Sequence, residues 1–539
     1  MEVSVEATEL GTVDGLTARS RAAFSVRPAS ALHSEVEVRA INAGEQFRIQ
    51  PPRSFVEGTA RMTVSVSSRP SIQLGPALEE LIRYPYGCVE QTSSRLFSLL
   101  YATDILGDDR SEMIDSMVRA GIARLWSMQT RSGGLSYWPG GSTPSLWGTA
   151  YASSCLLEAG SAGYEIDRQF TDELAKYLAQ RLKTTGNDGP DLNTKALICR
   201  VLAVFGEPPL GWMARLAEQE DKLDLAATAH LAAAFHAAGR KDRSAELIPE
   251  QIPQNPGKTT TRGRLTSPIR RQAVLLSVLL EIESEHPAAA VLARRLEEAR
   301  QGCRWGSTLN NAAAIAALSR YQVITSGQTQ DFSGAFIQAG REVAVFDHNT
   351  PVSHTFEDIS EPIVISSKGE GTVYVVVLSE GLARRGLIKP FDEGLCVRRN
   401  WIDRRGNPID PNKLSVGDLV RVKATIHTPG PVVHNIALVD ALPGGMEVEN
   451  PRLATSAESH YSESNRPDHV EFLDDRVVLF CTAGKDEKTF EYALRVTAAG
   501  RFALPPIQAS CMYEPAVASL GSEGRLTIVN RRREQNKEE

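Results

Sequence analysis

The chain has 539 residues, of which 42% are hydrophobic and 23% charged, and its formal net charge is -7 at pH 7. At roughly 150 residues per domain, this length predicts several domains. The mild acidity argues against a nucleic acid or an anionic membrane as a partner. No run of about 18 apolar residues predicts a membrane span, and the first residues have neither the basic nor the apolar segment from which a signal peptide would be predicted.

The first segment, residues 1–70, is predicted to form β-strands. Its apolar residues alternate in short runs such as "SEVEVRAI" and "ARMTVSVSS", and the alternation has the period of a strand. Residues 323–382 show the same pattern, as in "GTVYVVVLSEG". Because each segment is short for a stable sandwich, we expect the two to pair across the intervening residues into one β domain.

The intervening segment, residues 71–322, is predicted to be helical. Helices that are rich in Ala and Leu, such as "LWGTAYASSCLLEAG", alternate with helices that have one apolar stripe and a charged face, such as "DELAKYLAQRLKTTG". This alternation predicts an inner and an outer ring of helices, which is an α/α toroid. Tyr137 and Trp138, in the Gly-rich loop "QTRSGGLSYWPGG", are expected to cover a helix end.

A second β-sandwich is predicted for residues 383–530, where turn signals recur about every ten residues. Residues 531–539 are rich in charged residues and are expected to be a tail. The predicted fold class is therefore multidomain, with an α/α toroid inserted into one β-sandwich and followed by another. The seven cysteines are scattered and include no C-x-x-C pair, so no metal site, cofactor or disulfide framework is expected.

The stretch "YPYGCVEQ" places Cys88 three residues before Gln91. One interpretation is a buried cysteine beside an ordinary helix start. The other is an internal thioester, formed when the Cys88 thiolate attacks the Gln91 carboxamide and ammonia leaves. Gly87 is expected to permit the tight turn that this bond requires, and the helix start is expected to favour the thiolate. Glu90 in the first turn suits the same helix dipole.

A stored thioester must be kept away from water until it is used. Tyr84 and Tyr86 flank the turn and could supply that cover. Two aromatic residues beside a helix start are also typical of ordinary core packing, so this interpretation stays open on the residues alone.

The segment "YPYGCVEQTSSRLFSLLYA" resembles the thioester segment of the alpha-2-macroglobulin and complement family, in its bacterial branch. "GGLSYWPGG" followed by "PSLWGTAYASSCLLEAG" is similar to the next helical stretch of that family's thioester domain. The two β segments around the toroid resemble its split CUB domain, and the first of them can include the end of a preceding macroglobulin domain. "SCMYEP" resembles its last macroglobulin domain, so residues 383–530 are expected to be a macroglobulin-type sandwich.

The resemblance implies a single-use covalent trap for proteases. In this family a protease cuts a bait region, the domains rearrange, and the exposed thioester acylates the target. Cys88 would be the leaving thiolate and Gln91 the acyl donor, so endopeptidase inhibition is expected rather than enzymatic turnover. Bacterial relatives shield the bond with an upstream tyrosine and with residues of the final domain, which correspond here to Tyr84, Met512 and Tyr513.

Some complement components carry a histidine that directs the acyl group to hydroxyls. The corresponding position falls at Asn193, within three residues either way, so the resemblance implies direct attack by amines and hence by protease lysines. His230 and His236 are expected to be ordinary helix residues. The resemblance also implies upstream macroglobulin and bait domains, in this or another chain, and a periplasmic or cell-envelope location.

Two alternatives remain open. The first is a surface-attachment or opsonin-like module of the same family, including one whose Cys88 and Gln91 never condense. The second is an α/α-toroid enzyme, such as a glycosidase or a terpenoid cyclase. A cyclase needs an acidic cluster, for which the sequence offers Asp108 and Asp109 in a predicted loop, and a glycosidase needs two opposed carboxylates.

Overall fold

The structure is a computed structural model. It describes residues 2–8, 17–23, 32–106, 111–184, 189–249, 252, 263–301, 304–325, 331–382, 384, 389–449 and 466–530. Asp108, Asp109 and the tail at 531–539 lie outside the described residues. Within the described ranges, no helix is both long enough and apolar enough to cross a membrane.

The middle of the chain is helical. Its helices are α1 (Gly75–Arg83), α2 (Val89–Leu99), α3 (Ala102–Leu106), α4 (Ser111–Ser127), α5 (Leu146–Ser161), α6 (Arg168–Leu182), α7 (Leu192–Val204), α8 (Leu210–Ala217), α9 (Leu225–Ala237), α10 (Lys241–Glu246), α11 (Pro268–Ile282), α12 (Ala288–Glu298) and α13 (Thr308–Thr325). Helices α2, α5, α7, α9, α11 and α13 each pack against the next, and α13 returns to α2 to close a ring. The even-numbered helices from α4 to α12 pack against this ring from outside. The predicted α/α toroid is confirmed.

Composition explains which helices lie inside. Helix α9 consists largely of alanine and is buried from Ala226 to Phe235 without interruption, because it has neighbours on all sides. Helix α6 buries one stripe, which includes Phe170, Leu174 and Leu178, and exposes its charged residues. The four-residue spacing of that stripe is the period of a helix packed on one face.

The inner helices all begin at the same mouth of the toroid. Thr308 at the start of α13 bonds Glu90 in the first turn of α2, and Ser267 before α11 bonds Asn310 in the first turn of α13. The residue that caps each of α5, α7, α9 and α11 accepts a bond from its own helix through a Ser or Asp side chain, which are preferred N-cap residues. This mouth is called the N-terminal mouth below.

The first β domain combines strands from both sides of the toroid. Its strands are β3 (Leu32–Asn42), β4 (Gln46–Ile49), β5 (Arg61–Ser67), β6 (Asp331–Gln338), β7 (Arg341–Asp347), β8 (Val352–Phe356), β9 (Ile363–Glu370) and β10 (Thr372–Leu382), while β1 (Glu2–Thr8) and β2 (Thr17–Ala23) form a separate pair. The sheets have the orders β3-β10-β5-β8 and β4-β9-β6-β7. Strand β10 lies antiparallel between β3 and β5, so Val376 pairs with Val38 on one side and Ser65 on the other.

The C-terminal sandwich follows. Its strands are β11 (Phe391–Glu393), β12 (Cys396–Ile402), β13 (Leu414–Ser415), β14 (Leu419–His427), β15 (Val433–Ala441), β16 (Met446–Val448), β17 (His469–Phe472), β18 (Arg476–Ala483), β19 (Lys488–Val496), β20 (Gly500–Leu504), β21 (Ile507–Cys511), β22 (Ala518–Leu520) and β23 (Gly524–Val529). The two larger sheets have the orders β11-β22-β21-β15-β18-β17 and β12-β14-β19-β16. Ala437, Val439, Val478 and Phe480 of the six-stranded sheet are buried in the same hydrophobic cluster as the toroid core.

Candidate functional site

The candidate site lies at the start of α2, where Cys88 is the N-cap residue. Its backbone is extended (φ -68°, ψ 171°), and its Sγ accepts a hydrogen bond from the backbone N–H of Gln91 at 3.4 Å. In return, the backbone N–H of Cys88 donates to Gln91 Oε1 at 3.1 Å. The pair forms a capping box in which cysteine takes the place of the usual Ser or Thr. The thiol and the carboxamide are therefore held beside each other.

Both side chains are shielded from water. Cys88 is 0% and Gln91 1% exposed. The Gln91 amide nitrogen donates to the Sδ of Met512 at 3.2 Å. On the other side of the amide, the bond from the Cys88 N–H polarises the carbonyl. That N–H is placed to stabilise negative charge on Oε1 when a nucleophile attacks the carboxamide carbon.

The backbone N–H groups at the helix start favour the Cys88 thiolate as predicted, but burial outweighs them. Burial, together with the nearby Glu90 carboxyl, raises the pKa of the Cys88 thiol to about 12. Hydrogen bonds from the backbone of Gln91 and Glu90 and from the Tyr137 side chain lower this pKa, but by less. A helix terminus offsets only part of the free energy needed to bury a charge. The thiol is therefore protonated at neutral pH.

The expected role of Gly87 also needs correction. Gly87 does not have the positive φ that only glycine adopts readily. A Cβ at this position would instead lie 2.5 Å from Nη2 of Arg124, whose guanidinium donates to the Gly87 carbonyl at 3.2 Å. Arg124 is exposed and its flexible end can move away, so the close approach favours glycine at this position without requiring it. The extended backbone of Cys88 accounts for the change in chain direction.

Glu90 is a fully buried carboxyl that connects three parts of the molecule. Ser94 Oγ donates to its Oε1 at 2.6 Å, and the Tyr513 hydroxyl donates to its Oε2 at 2.7 Å. Thr308 Oγ1 lies 3.1 and 3.0 Å from the two oxygens. Burial outweighs these bonds and raises the pKa of Glu90 above its usual 4.5. The carboxyl thus joins α2, α13 and the C-terminal sandwich. The sequence predicts only that Glu90 lies in the first turn of α2, where it suits the helix dipole.

Met512 and Tyr513 follow β21 and cover the site from the C-terminal sandwich. Both are buried, and the Met512 backbone N–H donates to the Asn435 carbonyl at 2.9 Å. The Tyr513 hydroxyl lies 3.0 Å from that of Tyr137. The structure therefore places Met512 against Gln91 and Tyr513 against Glu90, as a lid over the N-terminal mouth.

The two upstream tyrosines lie at the side of the site. Tyr86 packs edge-on against Phe480 of β18, with ring centroids 5.0 Å apart, and Tyr84 packs edge-on against Tyr86 at 5.5 Å. Trp138 packs on the same Phe480 at 4.1 Å. Tyr86 thus belongs to the contact between the two domains, while Tyr84 is half-buried at the outer end of this aromatic row.

Sequence reasoning missed two residues of the site. Tyr137 is hydrogen-bonded to the side chains of Cys88 and Tyr513. Its position in a Gly-rich loop predicts only that it covers the end of a helix. Asn435 has a positive φ of 54°, and its side chain donates to the Gly263 carbonyl at 2.8 Å. A shift of register between Val433 and Ile436 produces this bulge, and the sequence carries no signal for it.

Asn193 lies in the first turn of α7, at the N-terminal mouth. Its side chain accepts a bond at Oδ1 from the backbone N–H of Asp224, the residue that caps α9, at 3.0 Å. Asn193 is thus engaged with the neighbouring helix rather than with the Cys88 and Gln91 pair.

Two family models match the chain. The A-macroglobulin TED domain matches residues 64–190, and the Bacterial Alpha-2-macroglobulin MG10 domain matches residues 394–516. The alpha-2-macroglobulin of Escherichia coli K12 is 26% identical over 94% of this chain, and that of Xylella fastidiosa 25% over 92%. These matches support a place for the chain in the bacterial alpha-2-macroglobulin family. The chain spans about a third of the length of these relatives, because each alignment covers 32% of the relative.

Solved structures agree on the fold. Native alpha-2-macroglobulin of E. coli, from domain MG7 to the C terminus, has a TM-score of 0.79 at 24% identity and covers 98% of this chain and 87% of its own. Salmonella alpha-2-macroglobulin reacted with methylamine has a TM-score of 0.76 at 24% identity, with 98% and 36% covered. In this chain, the TED match contains Cys88 and Gln91 and the MG10 match contains Met512 and Tyr513, so the site lies between the two matched domains.

Gly263→Ala should loosen the lid. Gly263 has a φ of +78°, and a Cβ there would lie 1.9 Å from the His434 carbonyl oxygen in the C-terminal sandwich. Hydrogen–deuterium exchange in the peptide that contains Met512 should become about tenfold faster, as a local strain of about 1–3 kcal/mol implies. Gly239→Ala is the matched control, since Gly239 has a φ of +75° and a Cβ there would meet nothing within 4 Å. Equal exchange in the two variants would contradict the close approach.

Glu90→Gln should change how stability depends on pH. A carboxyl with a raised pKa in the folded state binds protons that the unfolded state releases, so its stability contribution is lost as pH rises from 4.5 through the raised value. The thermal midpoint of the unchanged chain should therefore fall relative to that of Glu90→Gln as pH rises above 4.5. Glu298→Gln, at a glutamate whose side chain is 63% exposed, is the control. A constant difference across this range would contradict burial of a neutral Glu90.

Proposed function

We propose that this chain is the thioester-bearing part of a bacterial protease trap, in which Cys88 and Gln91 condense into an internal thioester. The observation that carries the proposal is the buried capping box that holds the thiol beside the carboxamide. In the reaction, Sγ bonds to the Gln91 carboxamide carbon and the C–N bond breaks. The thiol proton leaves with the amide nitrogen as ammonia, so the atoms balance.

The neighbouring groups suit this step. Because the thiol is protonated, it needs a path for its proton, and the Tyr137 and Tyr513 hydroxyls connect it to the Glu90 carboxyl. Because burial raises the pKa of Glu90, its carboxyl can donate a proton to the departing nitrogen and take up the thiol proton in exchange. The N–H of Cys88 stabilises the oxyanion on Gln91 meanwhile. The same enclosure then protects the thioester from water.

Release of the lid would convert this stored bond into an acylating agent. An amine of the target attacks the Gln91 carbonyl, an amide forms, and the Cys88 thiol is freed, so each molecule reacts once. Asn193 at the family's histidine position favours direct attack by amines, and protease lysines are the proposed targets. The family name of the relatives and the methylamine-reacted Salmonella protein support this assignment.

The remaining domains fit the same proposal. We assign the sandwich formed by β3–β10 as the split CUB-like domain, and Tyr84 as part of the shield through Tyr86. Upstream macroglobulin and bait domains, in this or another chain, are the proposed trigger. A periplasmic or cell-envelope location is proposed with them. Because each molecule would react once and is not regenerated, the proposed role is that of an endopeptidase inhibitor and not of an enzyme.

Intact mass tests the bond directly. The fresh protein should weigh one ammonia less than its sequence, and methylamine should add its full mass while releasing one titratable thiol. Cys88→Ala and Gln91→Ala should abolish both effects, whereas Cys155→Ala, which removes another buried free cysteine, should keep them. A full sequence mass with a reactive thiol already present at Cys88 would contradict the proposal.

The same material separates a trap from an attachment module. Incubation with a lysine-containing protease should yield an adduct that survives denaturant and is lost in Cys88→Ala. Adducts to glycans instead would favour surface attachment.

A further inference from the structure

A cavity enters the toroid along its axis from the mouth opposite the Cys88 and Gln91 pair. Its outer chamber has a volume of about 550 Å³ and is lined by the later turns of α5, α7, α11 and α13 and by Tyr101 just beyond α2. An inner chamber of about 50 Å³ lies deeper, and each of the six inner helices contributes at least one residue to its wall. Both chambers border Arg200, Arg320 and Glu158, so they are adjacent along the axis of the toroid, and the two together are called the well below.

The outer chamber is apolar and open. Val204, Val323 and Ile324 line its rim with 47%, 58% and 47% of their surface exposed. Leu157 and Leu280 continue the apolar wall further in. Aliphatic side chains this exposed around a concave opening offer contact area for an apolar group.

A belt of two ion pairs separates the chambers. Arg200 Nη2 lies 2.8 Å from Glu281 Oε2, and Arg320 Nη2 lies 2.5 Å from Glu158 Oε2. Each arginine of the belt is thus matched by a glutamate. The charge of the belt is balanced, and any excess of positive charge in the well comes from below it.

The inner chamber contains two hydrogen-bond donors. Arg270 is buried, with its guanidinium over the rings of Trp147 and Tyr151 at 5.6 and 6.0 Å. His230 is 6% exposed, and its Nδ1 lies 3.4 Å from Nη1 of Arg200, which can only donate. The ring proton therefore lies on Nε2, which is buried and has no partner among the residues that the structure describes. A donor in this state next to a guanidinium is matched by an anionic acceptor.

We propose that this well binds one amphipathic carboxylate, with its head at Arg270 and His230 and its aliphatic tail against Val204, Val323 and Ile324. The outer volume lies within the roughly 300–1,000 Å³ of small-molecule pockets. The inner volume admits a few water-sized groups at about 10–15 Å³ each, which is the size of a carboxylate head. A planar guanidinium suits a carboxylate because it can donate two parallel bonds. The well opens at the opposite mouth from Cys88, while its inner end at Arg270, in the first turn of α11, lies toward the N-terminal mouth and within electrostatic reach of Glu90. Binding in the well does not require that the thioester has formed.

Isothermal titration calorimetry of the full chain with dodecanoate tests the proposal. One molecule should bind per chain, and dodecanol and dodecyltrimethylammonium should bind at least about tenfold more weakly, because neither presents an anion to the buried donors. Equal binding of dodecanol would overturn the assigned head position. No saturable binding of dodecanoate would overturn the site itself.

Variants locate the bound molecule. Arg270→Met should weaken dodecanoate binding by about tenfold or more, whereas Arg271→Met, at the next residue of α11, should leave it unchanged. Val204→Asp at the exposed rim should also weaken dodecanoate binding. If Arg270→Met does not fold, the binding measured with Val204→Asp is the test of the proposal. Tyr151 is left intact, because its hydroxyl lies 3.0 Å from Ser94 Oγ, which supports Glu90. Unchanged binding in both Arg270→Met and Val204→Asp would overturn the proposal.

Discussion

The start of α2 is buried on all sides although it consists of polar groups, and the surrounding structure must satisfy them without water. Cys88, Glu90 and Gln91 are 0%, 0% and 1% exposed. Buried polar groups are destabilising unless they are hydrogen-bonded. At the start of α2, Cys88 and Gln91 bond each other through their backbone and side-chain groups. Thr308 of α13 bonds Glu90, and the MG10 domain contributes Met512, which bonds Gln91, and Tyr513, which bonds Glu90. The toroid mouth is complete only with the second domain in place.

The same interface excludes water and provides these hydrogen bonds. Movement of the MG10 domain would therefore admit water and break the bonds from Met512 and Tyr513 at the same time. Phe480 and Val478 of that domain are buried in the same cluster as the toroid core, so the closed arrangement is stabilised by apolar burial as well as by hydrogen bonds. Loss of the lid would expose the Gln91 carbonyl and leave Glu90 without its Tyr513 partner in a wetter setting. A single-use trap needs this kind of all-or-none exposure.

Local patterns were sufficient to predict the family, the alternating inner and outer helices, and the position of Cys88 and Gln91. Inner helices such as α9 are uniformly apolar, and the capping-box spacing lies within four residues. Properties set by distant residues could not be predicted in the same way. The contact of Gly87 with Arg124 and the burial that raises the pKa of the Cys88 thiol both arise from residues outside this segment. The roles of Tyr137 and Asn435 depend on contacts between residues about 300 positions apart.

The central claim is that Met512 and Tyr513 keep the Cys88 and Gln91 pair unreactive. The most direct test is the rate at which methylamine releases the Cys88 thiol in a Met512→Ala, Tyr513→Ala double variant, relative to the unchanged chain. Removal of both side chains leaves the lid open to water and amines, so the rate should rise by at least about tenfold. Equal rates in two proteins that both show the ammonia deficit in mass would contradict the account.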